Sequence, residues 1–408
     1  MFWTILANFF TVAFPACSDM RPEFVARHLE PALRESLEAP ELKLLSLSGE
    51  RPPDDERREP WIAIKYGPAG PDDWVGVVTA TARFTRAAGA PLEELKLAVK
   101  VNPRQGLSHT LIPWIIKTQK IALDRPYWEY RRAAETIHTG PRESHVYSLA
   151  KTQPPLAAVL PRCYGMAKDP ETDEHALFLE FVTNAARLDA TGTVGNWPPT
   201  AIDEALKAAA GWQAAFWSPG PNQLSWAGPR PTTDDMVADA PLWRGILDFA
   251  RRRFPDIVTD AVWRRRHRLI DNLNEWYPLK DRLPATLAHN DFNERNVGFR
   301  PQVLVLDWEL AECNTPQRDL AELLTFVLPA GAGRDEIDAH VENHRNALIE
   351  LGVSPGIDRD AWMEGFRAEI KAEAIDRVGL QFLFGAQFPL AYLATINRNI
   401  ERLLDFYC

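Results

Sequence analysis

Cysteine is scarce in this sequence and never paired in spacing. Cys17, Cys163, Cys313 and Cys408 are the only four, and no C-x-x-C occurs. A zinc site or redox pair of that spacing is therefore excluded, and reduced thiols in a cytoplasmic protein are the expectation. Positive charge is also short: 46 Lys and Arg against 56 Asp and Glu leave a net charge of −10. A surface that neutralises phosphate backbones needs the opposite balance, so no nucleic-acid partner is expected. Glycine is scarcer than proline, 22 against 33, which favours rigid loops between elements. The apolar opening stretch MFWTILANFFTVAFPAC is short for a membrane span. No Lys or Arg precedes it and no clean small-x-small cleavage site follows, so it reads as a packed N-terminal segment or a misassigned start. There is no GxxxxGK[ST], HExxH or GxSxG, so P-loop, zinc-protease and α/β-hydrolase chemistries lack a motif.

What is present is an ordinary globular composition, 46% apolar and 25% charged over 408 residues, enough for one large or two ordinary domains. Apolar residues at helical spacing predict a helix over 23–37. From 42 to 102 the runs LKLLSL, WIAIKY, WVGVVTATARF and LKLAVKV predict an antiparallel meander, broken by Pro, Gly and Asp turns. Two helical pieces follow over 107–148, then strands at LPRCYG and HALFLEFV. Beyond Val182 helices dominate, at 204–217, 241–253, 257–277, 319–328, 335–351, 359–376 and 378–405. The one β-like interruption, 286–310, holds the chemistry. The expected organisation is an N-terminal segment and helix over 1–39, a β-rich part over 40–182 and a helical part over 183–408.

Within that interruption, His289 and Asp291 follow a β-run, Asn296 comes five residues after Asp291, and the strand VLVLD ends at Asp307. An amide and a carboxylate suit a magnesium ion, which takes hard oxygen ligands. A second carboxylate can accept a proton from a hydroxyl. Asx turns and caps use the same residue types, so spacing alone leaves both readings open.

The wider order narrows the choice. Lys100 stands mid-strand in LAVKV, RESHVY lies in a helix, and His289-Asn290-Asp291-Phe292-Asn293-Glu294-Arg295-Asn296 precedes Leu306-Asp307-Trp308-Glu309 and PQRDLAELL. This ordered set resembles the aminoglycoside phosphotransferase and choline kinase-like family, within the protein-kinase-like fold. The resemblance implies an α+β chain with two lobes: an antiparallel N-lobe sheet with one helix, and a mainly helical C-lobe. It implies an ATP- and magnesium-dependent phosphotransferase acting on a hydroxyl of a small molecule such as an amino sugar, amino alcohol or secondary-metabolite alcohol. Lys100 would contact the nucleotide's phosphates, held by Glu143, with Glu129 and Glu135 as other candidate partners. The backbone at Glu180, Phe181 and Val182 would bind adenine. Asp291 would be the catalytic base, Asn296 and Asp307 the metal ligands, and His289 and Asp319 structural supports. Arg318 comes eleven positions after Asp307, too soon for a long activation loop.

Three departures stand out. Asn290 replaces the usual Gly between His and Asp, Gln213 replaces a frequent His, and the Gly67–Gly76 stretch lacks G-x-G-x-x-G. An inactive nucleotide-binding scaffold, or a kinase that activates a hydroxyl for elimination, is the alternative. Glu364, Glu369, Glu373 and Asp376 form either a solvated face or a surface for a cationic substrate. The Arg-rich runs at 251–253 and 264–267 read as solvated helix faces.

Overall fold

The computed structural model describes residues 22–50, 74, 76–102, 108–135, 139–170, 174–183, 185–186, 194–220, 223–228, 230–353 and 358–408. The apolar stretch 1–17, the expected strand WIAIKY and all of the glycine-rich stretch except Trp74 and Gly76 lie outside them. No helix of the described residues is long and apolar enough to cross a membrane.

Two compact units make up the chain. The first takes in Met1–Thr110, Ile137–Ser148 and Pro161–Asn184. Its helix α1 (Pro22–Ser36) precedes strands β1 (Lys43–Glu50), β2 (Gly76–Thr85) and β3 (Glu93–Asn102), helix α3 (Thr139–Ala150, which follows α2, Ser108–Thr118), and strands β4 (Cys163–Lys168) and β5 (His175–Glu180). The sheet is antiparallel throughout, ordered β1-β2-β3-β5-β4. Alternation along β3 buries Leu97, Val99 and Val101, the pattern of a strand with one face on a core. Helix α1 covers that core, packing Val25, Leu29 and Leu33 against β4 and β1.

The close approach of α1 depends on a missing side chain. A Cβ built on Gly165 of β4 would lie 2.4 Å from the Cβ of Ala32.

The second unit takes in Leu111–Thr136, Leu149–Leu160 and Ala185–Cys408. Its long helices are α4 (Pro199–Ala215), α5 (Ala240–Arg253), α6 (Asp260–Asp271), α7 (Gln317–Val327), α8 (Arg334–Glu350), α9 (Arg359–Ile375), α10 (Arg377–Gly385) and α11 (Leu393–Tyr407). Between α6 and α7 lie four short strands: β6 (Thr286–Ala288) pairs with β9 (Glu312–Asn314), and β7 (Val297–Arg300) with β8 (Gln302–Val305). The expected single hairpin is thus two small antiparallel pairs. Helix α7 is the centre: all eleven of its residues are buried, packed by α4, α9 and α11.

Three sequence expectations change. The helix over 378–405 is two helices, because Gly385 ends α10 and Pro389 disfavours helical backbone before it. Arg266 is no solvated residue: it is 2% exposed and bonds Glu401 and Asn397. On α9, Glu369 and Glu373 are fully buried and paired with Lys280 (2.8 Å) and Arg318 (2.9 Å), while Glu364 alone of the four acids is exposed.

Gly165→Val should lower the unfolding free energy by about 1–3 kcal/mol, the usual cost of overpacking. Denaturant titration measures it, and an unchanged midpoint would show that α1 does not rest on β4 in this way.

Candidate active site

In the first unit, β3 lies between β2 and β5, so Lys100 sits on a central strand opposite Val77 and Leu177. Its Nζ meets Glu143 Oε2 of α3 at 2.6 Å, and the two side chains are 7% and 1% exposed. Glu143, one of the three carboxylates considered from sequence, thus pairs with Lys100. It shares a buried helix face with Val146 and Tyr147. A pair this dry is costly to break, since either partner alone would be an uncompensated buried charge. Glu180 closes β5, and Phe181 and Val182 follow it half-buried, with Lys96 Nζ over the Phe181 ring at 4.2 Å.

In the second unit, the chain leaves β6 and turns sharply through His289-Asn290-Asp291. Asn290 has φ +59°, a left-handed conformation. That explains why glycine is usual there and why asparagine, which tolerates left-handed backbone, can replace it. The Asn290 side chain adds two bonds a glycine cannot make: Nδ2 donates to Leu310 O at 3.2 Å, and Oδ1 accepts from Arg318 Nε at 2.9 Å.

The turn is held from below by Asp319 on α7. Its carboxylate accepts the backbone N–H of His289 and of Asn290, each at 3.0 Å, and the Gln213 side chain at 3.1 Å. Burial pushes the Asp319 carboxyl up, opposed by His289 and these amides. Gln213 Oε1 in turn accepts from His344 Nε2 at 2.9 Å. The residue standing where a histidine is frequent thus passes its hydrogen bonding on to a histidine of α8. Burial pushes the His344 imidazole down to about 3, so it is neutral at working pH.

His289 fixes the next peptide. The Asp291 N–H donates to Nδ1 at 3.2 Å, which makes Nε2 the protonated nitrogen, and it donates to Leu306 O at 2.8 Å. Leu306 N donates to Asn296 O at 2.8 Å. Leu306, the residue before Asp307, is therefore held at both its N–H and its C=O by the two ends of the loop. Asp307 follows in left-handed backbone, φ +59°. Trp308 then packs edge-on against His289 and Trp212. Trp212 and Trp243 are buried.

Asp291 is 9% exposed. Its Oδ2 accepts from Asn296 Nδ2 at 2.8 Å, and its Oδ1 from Asn293 Nδ2 at 2.9 Å, Arg295 Nη2 at 3.3 Å and Arg377 Nη2 at 2.7 Å. Burial would raise its pKa, but Arg295 and Arg377 outweigh that and hold the carboxyl below its ordinary value. Asn296 Nδ2 also donates to Asp291 O at 2.9 Å. With its amide nitrogen committed, Asn296 offers its oxygen to a cation. That oxygen and the Asp307 carboxylate make a hard donor set that fits Mg2+. Among the described residues no group of three His, Cys, Asp or Glu forms a ready-made metal cluster.

The fold brings His289, Asp291, Asn296, Asp307 and Asp319, the residues singled out from the sequence, to one loop system. Sequence reasoning missed Arg318, Arg377 and the Gln213–His344 pair as supports of that system. Nothing local to residue 377 marks it, because its partners lie 55 to 87 positions away.

A pH test follows from His344. Below about pH 6.5 the unfolded chain protonates this imidazole and the folded chain does not, so stability is lost as pH falls toward 3. The loss reaches about 2 kcal/mol at pH 5. The stability advantage of wild type over His344→Gln should narrow by that amount between pH 7 and pH 5, read by denaturant unfolding. A pH-independent difference would contradict the neutral buried histidine.

No curated protein matches the sequence. Among solved structures, a Plasmodium vivax ethanolamine kinase aligns at 11% identity and TM-score 0.43, over 100% of this chain and 95% of its own. A choline/ethanolamine kinase family protein from Mesorhizobium loti aligns at 12% and 0.41, over 76% of this chain and 86% of its own. A macrolide 2′-phosphotransferase from Brachybacterium faecium aligns at 15% and 0.41, over 88% and 97%. At the level of sequence, residues 128–348 match the phosphotransferase enzyme family. That span is more than half of the 408 residues and runs from before Glu143 to beyond Asp319, and by it the chain belongs to the phosphotransferase enzyme family.

Proposed function

We propose that this phosphotransferase uses ATP and Mg2+ to move the γ-phosphoryl group onto a hydroxyl of a small molecule. The observation that carries the proposal is the Asp291–Asn296 contact. One loop presents a buried carboxylate as base and, through the same asparagine, an oxygen ligand for the metal. In the reaction the acceptor oxygen bonds to the γ-phosphorus as its proton passes to Asp291. The bond from that phosphorus to the bridging oxygen breaks, and ADP leaves. Mg2+, held by Asn296 and Asp307, would neutralise phosphate charge. Lys100, kept in place by Glu143, binds the nucleotide phosphates as a point charge, and the backbone at Glu180, Phe181 and Val182 receives the base. His289 and Asp319 hold the loop. Lys100, Asp291, Asn296 and Asp307, whose loss would favour an inactive scaffold, are all present.

The acceptor is a hydroxyl compound such as an amino sugar, an amino alcohol or a secondary-metabolite alcohol. Glu369 and Glu373 do not argue for a cationic one, because Lys280 and Arg318 already neutralise them.

Purified protein with Mg-ATP and a panel of alcohols (aminoglycosides, choline, homoserine, hydroxylated polyketide or terpenoid acids) should release ADP with at least one acceptor. Asp291→Ala should lower kcat by about 10²–10⁴-fold, the range for a general base. Lys100→Ala should raise the KM for ATP and leave the acceptor KM nearly unchanged. Failure of Mg-ATP either to bind or to turn over would overturn the proposal.

A further inference from the structure

Arg377 opens α10, beyond residue 348 where the family match ends, and its side chain is 8% exposed. One nitrogen, Nη2, reaches three acceptors: the Asn290 carbonyl, Asp291 Oδ1 at 2.7 Å and Glu322 Oε1 at 3.1 Å. The Asn290 carbonyl belongs to the peptide that joins the left-handed turn to Asp291. Arg377 therefore grips both the backbone and the side chain of the proposed base. Its own place is fixed in turn: Glu322 of α7 takes the same nitrogen, and Asp376 caps the Arg377 N–H.

The two oxygens of Asp291 are unequally loaded. Oδ1 accepts from Asn293, Arg295 and Arg377, whereas Oδ2 accepts from Asn296. A carboxylate oxygen has about two lone-pair sites. Three donors fill Oδ1, and one donor leaves room at Oδ2. Arg295 is the longer of the two arginine contacts, 3.3 Å against 2.7 Å, and its guanidinium also lies over the Phe326 ring. Arg377 is thus the stronger clamp on Oδ1.

We propose that Arg377 is a positioning residue for phosphoryl transfer: by pinning Oδ1 and the preceding carbonyl, it leaves Oδ2 as the oxygen that takes the acceptor's proton. The assignment rests on the phosphotransferase reading above. Arg377 touches neither nucleotide nor acceptor in this scheme. Its effect is on the aim of the base, and so on kcat rather than on nucleotide binding.

The test compares wild type, Asp291→Asn, Arg377→Gln and Arg377→Lys by steady-state kinetics and by the rise in melting temperature on adding Mg-ATP. Removing a charge-assisted hydrogen bond predicts a kcat for Arg377→Gln lower by roughly 10- to 100-fold. Its KM for ATP should stay within about threefold of wild type and the Mg-ATP shift should be kept. Arg377→Lys keeps the charge but not the reach of Nη2 to all three acceptors, so its kcat should fall between wild type and Arg377→Gln. If the glutamine variant does not fold, the lysine variant decides: reduced kcat with an unchanged KM for ATP supports the assignment, and wild-type kcat overturns it. It is also overturned if Arg377→Gln keeps kcat within about twofold. Loss of kcat together with the Mg-ATP shift, with no recovery in the lysine variant, would reduce Arg377 to a prop of the fold and overturn it too. If Asp291→Asn is inert and Arg377→Gln is not impaired, the phosphotransferase reading stands alone. If wild type transfers no phosphoryl group at all, that reading fails and this assignment falls with it.

Discussion

The site depends on one buried carboxylate. Asp319 takes the N–H groups of two successive residues, His289 and Asn290, at the point where the chain leaves β6 and turns. Without that acceptor, two backbone donors would be orphaned in the interior, at about 1–3 kcal/mol each. With it, the turn has a single geometry, and everything after the turn inherits it. Asn290 can stay left-handed, His289 can face Leu306, and Asp291 enters at a fixed angle. Helix α7 can carry Asp319 there because it is buried on all sides.

Around that anchor the second unit holds an unusual density of interior charge. Arg318 bonds Asn290, Glu373 and, at 3.6 Å, Asp376. Burial opposes its charge, but the surrounding carboxylates push its pKa well above the ordinary value. Buried pairs of this kind contribute little net stability after desolvation. Their effect is on geometry: α7, α9 and α10 each place a charge that another element must meet, so the helices have one way to dock. The proposed base lies at the end of this network, and the acids of α9 are absorbed into it.

Much of the site was legible because its residues are close in sequence. His289 to Asn296 span one loop, and Asp307 follows the next hairpin, so the proposed base and metal ligands are neighbours along the chain, although spacing alone left turns and caps equally open. Lys100 was legible from the period-two pattern of β3, which sets the face its stem lies on. What remained hidden came from distant partners. Glu369 and Glu373 at helical spacing look the same in sequence whether water or Lys280 and Arg318 neutralise them. Arg266 looked like part of a solvated basic face because Glu401 and Asn397 lie more than 130 positions away. The break between α10 and α11 was legible in principle from Gly385 and Pro389, but the apolar periodicity on either side masked it. Arg377 had no local signature, since only tertiary folding sets it against Asp291.

Asp319, remote from the proposed reacting atoms, sets the loop that carries Asp291. Asp319→Asn tests this most directly, because it keeps the volume and replaces one acceptor with a donor facing a backbone N–H. The measurement is kcat alongside the dissociation constant for Mg-ATP in the folded variant. A kcat at least tenfold lower is expected, with nucleotide affinity within about threefold of wild type. Wild-type turnover in that variant would show that the loop holds its shape without Asp319.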